Sequence, residues 1–334
     1  VPHAQTAGQR NIFSTEAGQI VGRNWAFFFL ILMVVIFSIV GSGFLSITNF
    51  QNILHLATAP LLLASAETFV VITGGIDLSI GFVMGMSSVL CGELIHLLID
   101  AGASISTSIL VGCMAGLLVS LIPGLINGLL ISRFNVPPFI ATLGMLGICN
   151  GITLKICKGF SISNLPDSLT RIGNSYVFYI HPGRGITLFQ KPNYLADTQI
   201  RELIRLIPVS IIFSIGVLLF LWYVLKYRKF GRHTYAIGGS TDAAIRAGIN
   251  VKRHLVFIYT LSSFLAGLAG VFNVFQTGIG NYSTFSAMYE LFAVAAVVIG
   301  GASLSGGKGG IIGTAVGVLL IIAVIIDQLF PDLF

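Results

Sequence analysis

Nine long apolar runs, nearly free of charge, divide this chain, and no other feature restricts its fold so tightly. They lie at about 25–41, 50–72, 80–98, 106–130, 139–157, 208–225, 254–275, 288–300 and 311–328. A helix needs roughly 20 apolar residues to cross the hydrocarbon core of a bilayer. Of the 334 residues, 55% are hydrophobic and 9% charged; a soluble domain carries about 25% charged residues. That composition excludes an ordinary soluble enzyme, a disordered tail and a nucleic-acid-binding module. The runs are continuous rather than alternating, which argues against an outer-membrane barrel. Each span is expected to be helical, because a lone strand in lipid leaves its backbone unpaired. The fold class read from this pattern is all-α, a polytopic transmembrane helical bundle of about nine spans forming one transmembrane domain over 1–334. The first run has no small-residue cleavage site after it and reads as a span, not a signal peptide. The chain starts at Val1 rather than Met, so a trimmed start is expected.

Orientation follows from the basic residues. The loop 226–253 carries Lys226, Arg228, Lys229, Arg232, Arg246, Lys252 and Arg253 against Asp242 alone, so it reads as cytoplasmic. Alternation then puts the N-terminal segment 1–24 and Arg133 inside and the long loop 158–207 outside. The six basic residues of that outer loop run against the rule, which long loops follow weakly. The net charge of +6 fits such loops and calls for no acidic partner.

Glycine patterns suggest tight packing. Small-xxx-small pairs occur at Gly81/Gly85, Gly112/Gly116, Gly124/Gly128, Gly147/Gly151 and Gly309/Gly313/Gly317. Such pairs let helix backbones approach closely in lipid. A short echo, GGxxLSxG, begins at Gly74 and again at Gly300, each time after an apolar Val-Val-Ile run. Related halves with glycine-interrupted segments at matching positions are a transporter pattern.

Soluble-enzyme chemistry finds no foothold. The stretch ending in Lys308 resembles a phosphate loop, but Ala302 replaces its first glycine and Gly309 its hydroxyl. The six histidines are scattered, and Cys91, Cys113, Cys149 and Cys157 lie in apolar runs without metal-ligand spacing, so they read as packing residues. Ionisable residues within spans weigh more, since each is costly in hydrocarbon. Glu93, His96, Lys155 and Asp327 fall near span ends and can snorkel. Glu67 and Glu290 lie deeper and can either face a polar pathway or cap a broken segment. Asp77 follows a Gly-Gly break and reads as a helix-start signal. Asn127, Asn150 and Asn273 can hydrogen-bond a polyol in a pathway or bond across helices. In the cytoplasmic loop, Ser240, Thr241 and Asp242 can cap a short helix over 243–247 that Gly248 ends. That helix either meets a cytoplasmic partner or folds back on the bundle.

Four segments together resemble the ribose-type permeases of bacterial ABC importers. They are Thr73-Gly74-Gly75-Ile76-Asp77-Leu78-Ser79-Ile80-Gly81, Asn135-Val136-Pro137-Pro138-Phe139-Ile140-Ala141-Thr142-Leu143-Gly144, Ala236-Ile237-Gly238-Gly239 through Gly248-Ile249-Asn250, and Val297 through Gly307. They occur in the family's order over about 50–325. The resemblance implies an inner-membrane, multi-pass translocation subunit without enzymatic activity or cofactor of its own. It implies a second permease copy or a paralogue, a cytoplasmic ATP-binding subunit that holds ATP and Mg, and a periplasmic sugar-binding protein. It also implies that Gly238, Gly239, Ser240, Asp242, Arg246 and Gly248 belong to a coupling helix on the ATPase. Three departures stand out: Ser240 where the family usually has Asn, the long outer loop, and nine spans where the family has ten and a cytoplasmic C-terminus. Arg171, Arg184, Arg201 and Arg205 are the expected contacts for the binding protein, by charge complementarity. The rival readings are an ion-coupled secondary transporter or channel using Glu67 and Glu290, and a membrane scaffold without transport.

Overall fold

Short polar residues start most of the long helices. Ser46 accepts from the Asn49 amide at 3.1 Å and begins α2, Ile47–Ile72. Ser104 accepts from Thr107 at 3.2 Å and begins α4, Ile105–Arg133. Asn250 accepts from Arg253 at 3.0 Å and begins α10, Val251–Thr277, which Gly278 ends. Prolines do the same for α5, Pro138–Cys157, and α7, Val209–Tyr227, where a missing amide costs nothing in the first turn. With α3, Ile80–Asp100, these are the six helices long and apolar enough to cross a membrane. The computed structural model describes residues 25–41, 43–181, 185–189, 204–283 and 288–329.

Three further apolar helices are present: α1, Trp25–Val40; α11, Tyr289–Ile299; and α12, Ile311–Leu329. At 11 residues, α11 spans about 16 Å, half the hydrocarbon thickness, so it does not cross alone as the run 288–300 suggested. The polytopic helical reading holds, with six candidate spans among the described residues and the other apolar runs also helical.

α10 lies against α4, α3 and α2, while α11 and α12 pack on the other side of α2. Glycine makes the α3–α4–α10 contacts possible. A Cβ on Gly128 would lie 2.7 Å from Val256 Cα, and one on Gly124 would collide with the Tyr259 carbonyl. Gly112 and Gly116 abut α3 in the same way, and Gly313 and Gly317 abut the backbones of Gly300 and Ala296. Gly147 and Gly151 differ: a Cβ at either meets nothing within 4 Å in this chain.

The outer loop departs from an all-α fold. It holds α6, Asp167–Gly173, and an antiparallel sheet of order β2-β1-β3 built from β1 (Tyr176–His181), β2 (Gly185–Leu188) and β3 (Ile204–Pro208). The Tyr-Val-Phe-Tyr-Ile run that carries β1 has the aromatic and β-branched residues that favour strands. The loop 226–253 also holds more than the one short helix expected. Before α9, Thr241–Arg246, comes α8, Lys229–Gly239. Gly231, which reads as a breaker in sequence, lies inside α8 because its α-carbon abuts the Leu225 backbone.

Candidate functional site: a buried turn and a capped helix pair

The first break is a re-entrant turn. Glu67 lies five residues before the end of α2, about 7.5 Å along the axis. The chain turns at Gly74 and comes back, so that the Asp77 amide donates to Glu67 Oε1 at 3.0 Å. Asp77 Oδ1 accepts from the Ser79 amide at 3.0 Å and from the Ser79 hydroxyl at 2.6 Å. Its other oxygen, Oδ2, accepts from Ser262 Oγ of α10 at 2.9 Å. Asn127 of α4 donates to Ser79 Oγ at 3.1 Å, and Thr142 of α5 donates to the Ile76 carbonyl at 3.2 Å. Glu67, Asp77, Ser79, Asn127, Thr142 and Ser262 have no exposed surface. Four helices thus hold one seven-residue turn by polar bonds inside an apolar bundle. A buried polar group without a partner is costly, so this turn is held in one conformation.

Asp77 therefore begins α3 from two residues upstream, through an Asx-type turn onto Ser79, rather than as the cap residue itself. Sequence reasoning singled out Glu67, Asp77 and Asn127, and the structure brings all three together. It missed Ser79, Thr142, Ser262 and Tyr259. The adjacent Ser262 and Ser263 within an apolar run were the available signal for α10.

The other intramembrane candidates lie apart. Glu290 begins α11 and is 7% exposed; its Oε2 has no hydrogen-bond partner among the described residues and lies where a side chain on Gly81 would be. Asn150 on α5 and Asn273 on α10 are half-buried, each with an unpartnered Oδ1. Glu93 is half-buried, His96 pairs with Asp100 at 3.3 Å on an exposed helix end, and Lys155 is exposed. The side chain of Asp327 lies outside the described residues.

The pair α8–α9 is built from caps. Ser240 accepts from the Ala243 amide at 3.2 Å and starts α9. The Gly248 amide donates to Ile245 O at 2.9 Å and the Ile249 amide to Ala244 O at 3.0 Å, closing it. Ala244 is buried against Ile237 and Val251, while Asp242 and Arg246 are exposed and Ile245 is 56% exposed. Above α8, Lys226 lies 5.1 Å from the Trp222 ring centre and Arg228 the same distance from Tyr223. Trp, Tyr and basic residues together mark a membrane–water boundary. Tyr235 of α8 donates its hydroxyl to Gly309 O at 2.8 Å; burial pushes its phenol up, which keeps the donor protonated.

On the outer side, Arg171 is exposed on α6. Arg205 on β3 is half-buried with its guanidinium 5.5 Å from the Tyr176 ring centre. Tyr176 in turn meets His55 Nε2 of α2 at 2.9 Å. Arg184 and Arg201 lie outside the described residues.

Comparison with known proteins agrees with this architecture. A family described as the permease component of branched-chain amino acid transport systems matches residues 49–330. A ribose import permease protein, RbsC, of Bacillus subtilis is 38% identical over 292 residues, covering 87% of this chain and 80% of that protein. The RbsC of Haemophilus influenzae is 32% identical over 310 residues, 92% of this chain and 85% of that protein. A D-allose transport system permease, AlsC, of Escherichia coli is 33% identical over 298 residues, 88% of this chain and 80% of that protein. No solved structure matches the chain significantly. The family match over most of the chain, its spanning helices and the motifs around Asp77, Pro138, Gly238 and Gly300 agree: the chain is a multi-pass membrane protein and belongs to this family of transport-system permeases.

Proposed function

We propose that the chain is the translocation subunit of an ATP-driven importer in the bacterial inner membrane, and that its solute is a sugar or related polyol. The observation that carries this reading is the capped pair α8–α9. It is a folded cytoplasmic segment that presents Asp242, Ile245 and Arg246 outward. A secondary transporter needs no such surface, and Glu67, its coupling carboxylate in that rival, is buried and bonded to the Asp77 amide. The sugar follows from relatives named for ribose and D-allose import.

In this reading α9 docks on a cytoplasmic ATP-binding subunit, with Asp242 and Arg246 fixing its orientation. ATP and Mg belong to that subunit, and this chain hydrolyses nothing. A periplasmic binding protein delivers the sugar to the outer side, where Arg171 and Arg205 offer positive charge. Two permease copies enclose the pathway, and nine apolar helices per copy form its wall. Glu67, Asp77 and Asn127 hold the first turn in place; Asn150, Asn273 and Glu290 have unpartnered acceptors for a sugar, as do Glu67 Oε2 and Asn127 Oδ1 deeper in the bundle.

The test is purification in mild detergent with the ATP-binding subunit and binding protein co-expressed, followed by uptake of radiolabelled D-ribose and D-allose into proteoliposomes. The reading expects co-purification and ATP-dependent uptake that survives collapse of the proton gradient. Deleting 239–248 should abolish association and uptake while leaving solute capture by the binding protein intact. Uptake that needs the proton gradient and no ATP would overturn it.

A further inference from the structure

Three glycine pairs converge at the cytoplasmic end of the bundle. The carbonyl of Ile72, the last residue of α2, accepts from the Gly307 amide at 2.8 Å, which ties the turn at 73–79 to a second glycine-rich turn, 300–310, between α11 and α12. Gly238, near the end of α8, enters the same place: a Cβ there would collide with the Ile72 carbonyl. A Cβ on Gly306 would lie 2.8 Å from Gly238 O and 3.1 Å from the Gly74 amide nitrogen. One on Gly307 would lie 3.1 Å from Gly239 Cα. Gly74 and Gly306 also take left-handed backbone, with φ of +81° and +84°, where a side chain would be strained. One turn earlier on α8, the Tyr235 hydroxyl holds Gly309 O at 2.8 Å.

The helix leading into α9 therefore touches both re-entrant turns, backbone to backbone. Side chains between packed elements absorb small shifts by changing rotamer; bare backbones in contact cannot. A closely packed interior passes such displacements on. We propose that Gly74–Gly75, Gly238–Gly239 and Gly306–Gly307 form a transmission joint, through which movement of α8 displaces both broken segments together. Gly238 and Tyr235 are its positioning residues. This rests on the reading of α8–α9 as the ATPase-docking segment. It adds the route by which that docking reaches the two breaks.

Two measurements on the full assembly test the joint. In the first, spin labels replace the exposed Gly239 and Leu304, with a third position at the exposed Leu110 of α4 as reference. Between nucleotide-free and vanadate-trapped states, the 239–304 separation should hold within about 2 Å while both distances to 110 change. A 239–304 separation that changes as much as the reference distances, or no change anywhere, overturns the joint. In the second, D-ribose uptake per ATP hydrolysed is compared for Gly238→Ala, Tyr235→Phe and Gly216→Ala. A side chain at 216, on α7 and outside the joint, meets nothing within 4 Å among the described residues, so Gly216→Ala is the control. Gly238→Ala should keep the ATP-binding subunit attached yet lower uptake per ATP about tenfold, with a smaller fall for Tyr235→Phe. If Gly238→Ala does not assemble, the label distances decide. Failure of the unmodified chain to retain the ATP-binding subunit would remove the docking reading. Retention with unchanged uptake per ATP in Gly238→Ala would remove the joint alone.

Discussion

The backbone amide of Asp77 bonds to Glu67 Oε1 across 3.0 Å, which fixes the depth of the first re-entrant turn against α2. Neither carboxylate has exposed surface, so this contact is an anchor within the bundle. Glu67→Gln keeps an acceptor at that position and should retain uptake. Glu67→Ala strands a buried amide and should cost about 1–3 kcal/mol, read as a lower melting temperature of the detergent-purified assembly. A well-folded Glu67→Gln protein without uptake would instead assign the carboxylate a part in ion coupling.

Ser262 and Asn127 reach the turn from different helices and act on one bonded chain, Ser262 through Asp77 and Asn127 through Ser79. Ser262→Ala and Asn127→Leu should each destabilise. Their combined effect should depart from additivity by at least about 0.5 kcal/mol, because both act on the same network. A double-mutant cycle of thermal stability measures this, and strict additivity would mean that the two bonds are independent.

Gly128 and Gly147 occupy similar motifs but face different surroundings. Gly128→Leu pushes α4 off the Val256 backbone and should lower stability by more than about 2 kcal/mol, or prevent insertion. Gly147→Ala meets no atom of this chain and should change stability by less than about 0.5 kcal/mol in an isolated subunit. Comparison of the monomeric and assembled forms after Gly147→Ala is informative: loss confined to the assembly places the α5 face against another chain.

Arg171 and Arg205 differ as probes of the outer surface. Arg171→Glu leaves every bond within the described residues in place, and should slow binding-protein association with a weaker dependence on salt. Arg205→Glu also removes a cation from beside the Tyr176 ring, so it should lower thermal stability as well. Stopped-flow association at several ionic strengths, paired with melting curves, separates the two effects.

The spans were legible because lipid leaves little choice: an apolar run of 20 residues has to become a helix. Asp77 and Glu67 were legible for the same reason, since charge in such a run demands an account. The short helix α9 was written in Ser240 and Gly248, which cap it at both ends. The rest depended on neighbours. Gly231 and Gly238 look like breakers in sequence, yet they are glycines because other backbone lies against them: Leu225, one helix back, at Gly231, and Ile72, at the far-off end of α2, at Gly238. The same holds for Gly147 and Gly151, whose motif matches Gly124 and Gly128 although no helix of this chain meets them. The shortness of α11 was legible, since the run 288–300 is already well below the length of a span. The sheet was hidden because β3 pairs with β1 from a distant part of the loop, and only β1 carries a strong local strand pattern.

One covalent thread joins the two faces of the membrane. Strand β3 passes through Pro208 directly into α7, and α7 runs by way of Arg228 into α8. The 19 residues of α7 rise about 28 Å, close to the thickness of the hydrocarbon layer. A push on the β-sheet at one end of α7 therefore reaches α8 at the other with no slack tether between them.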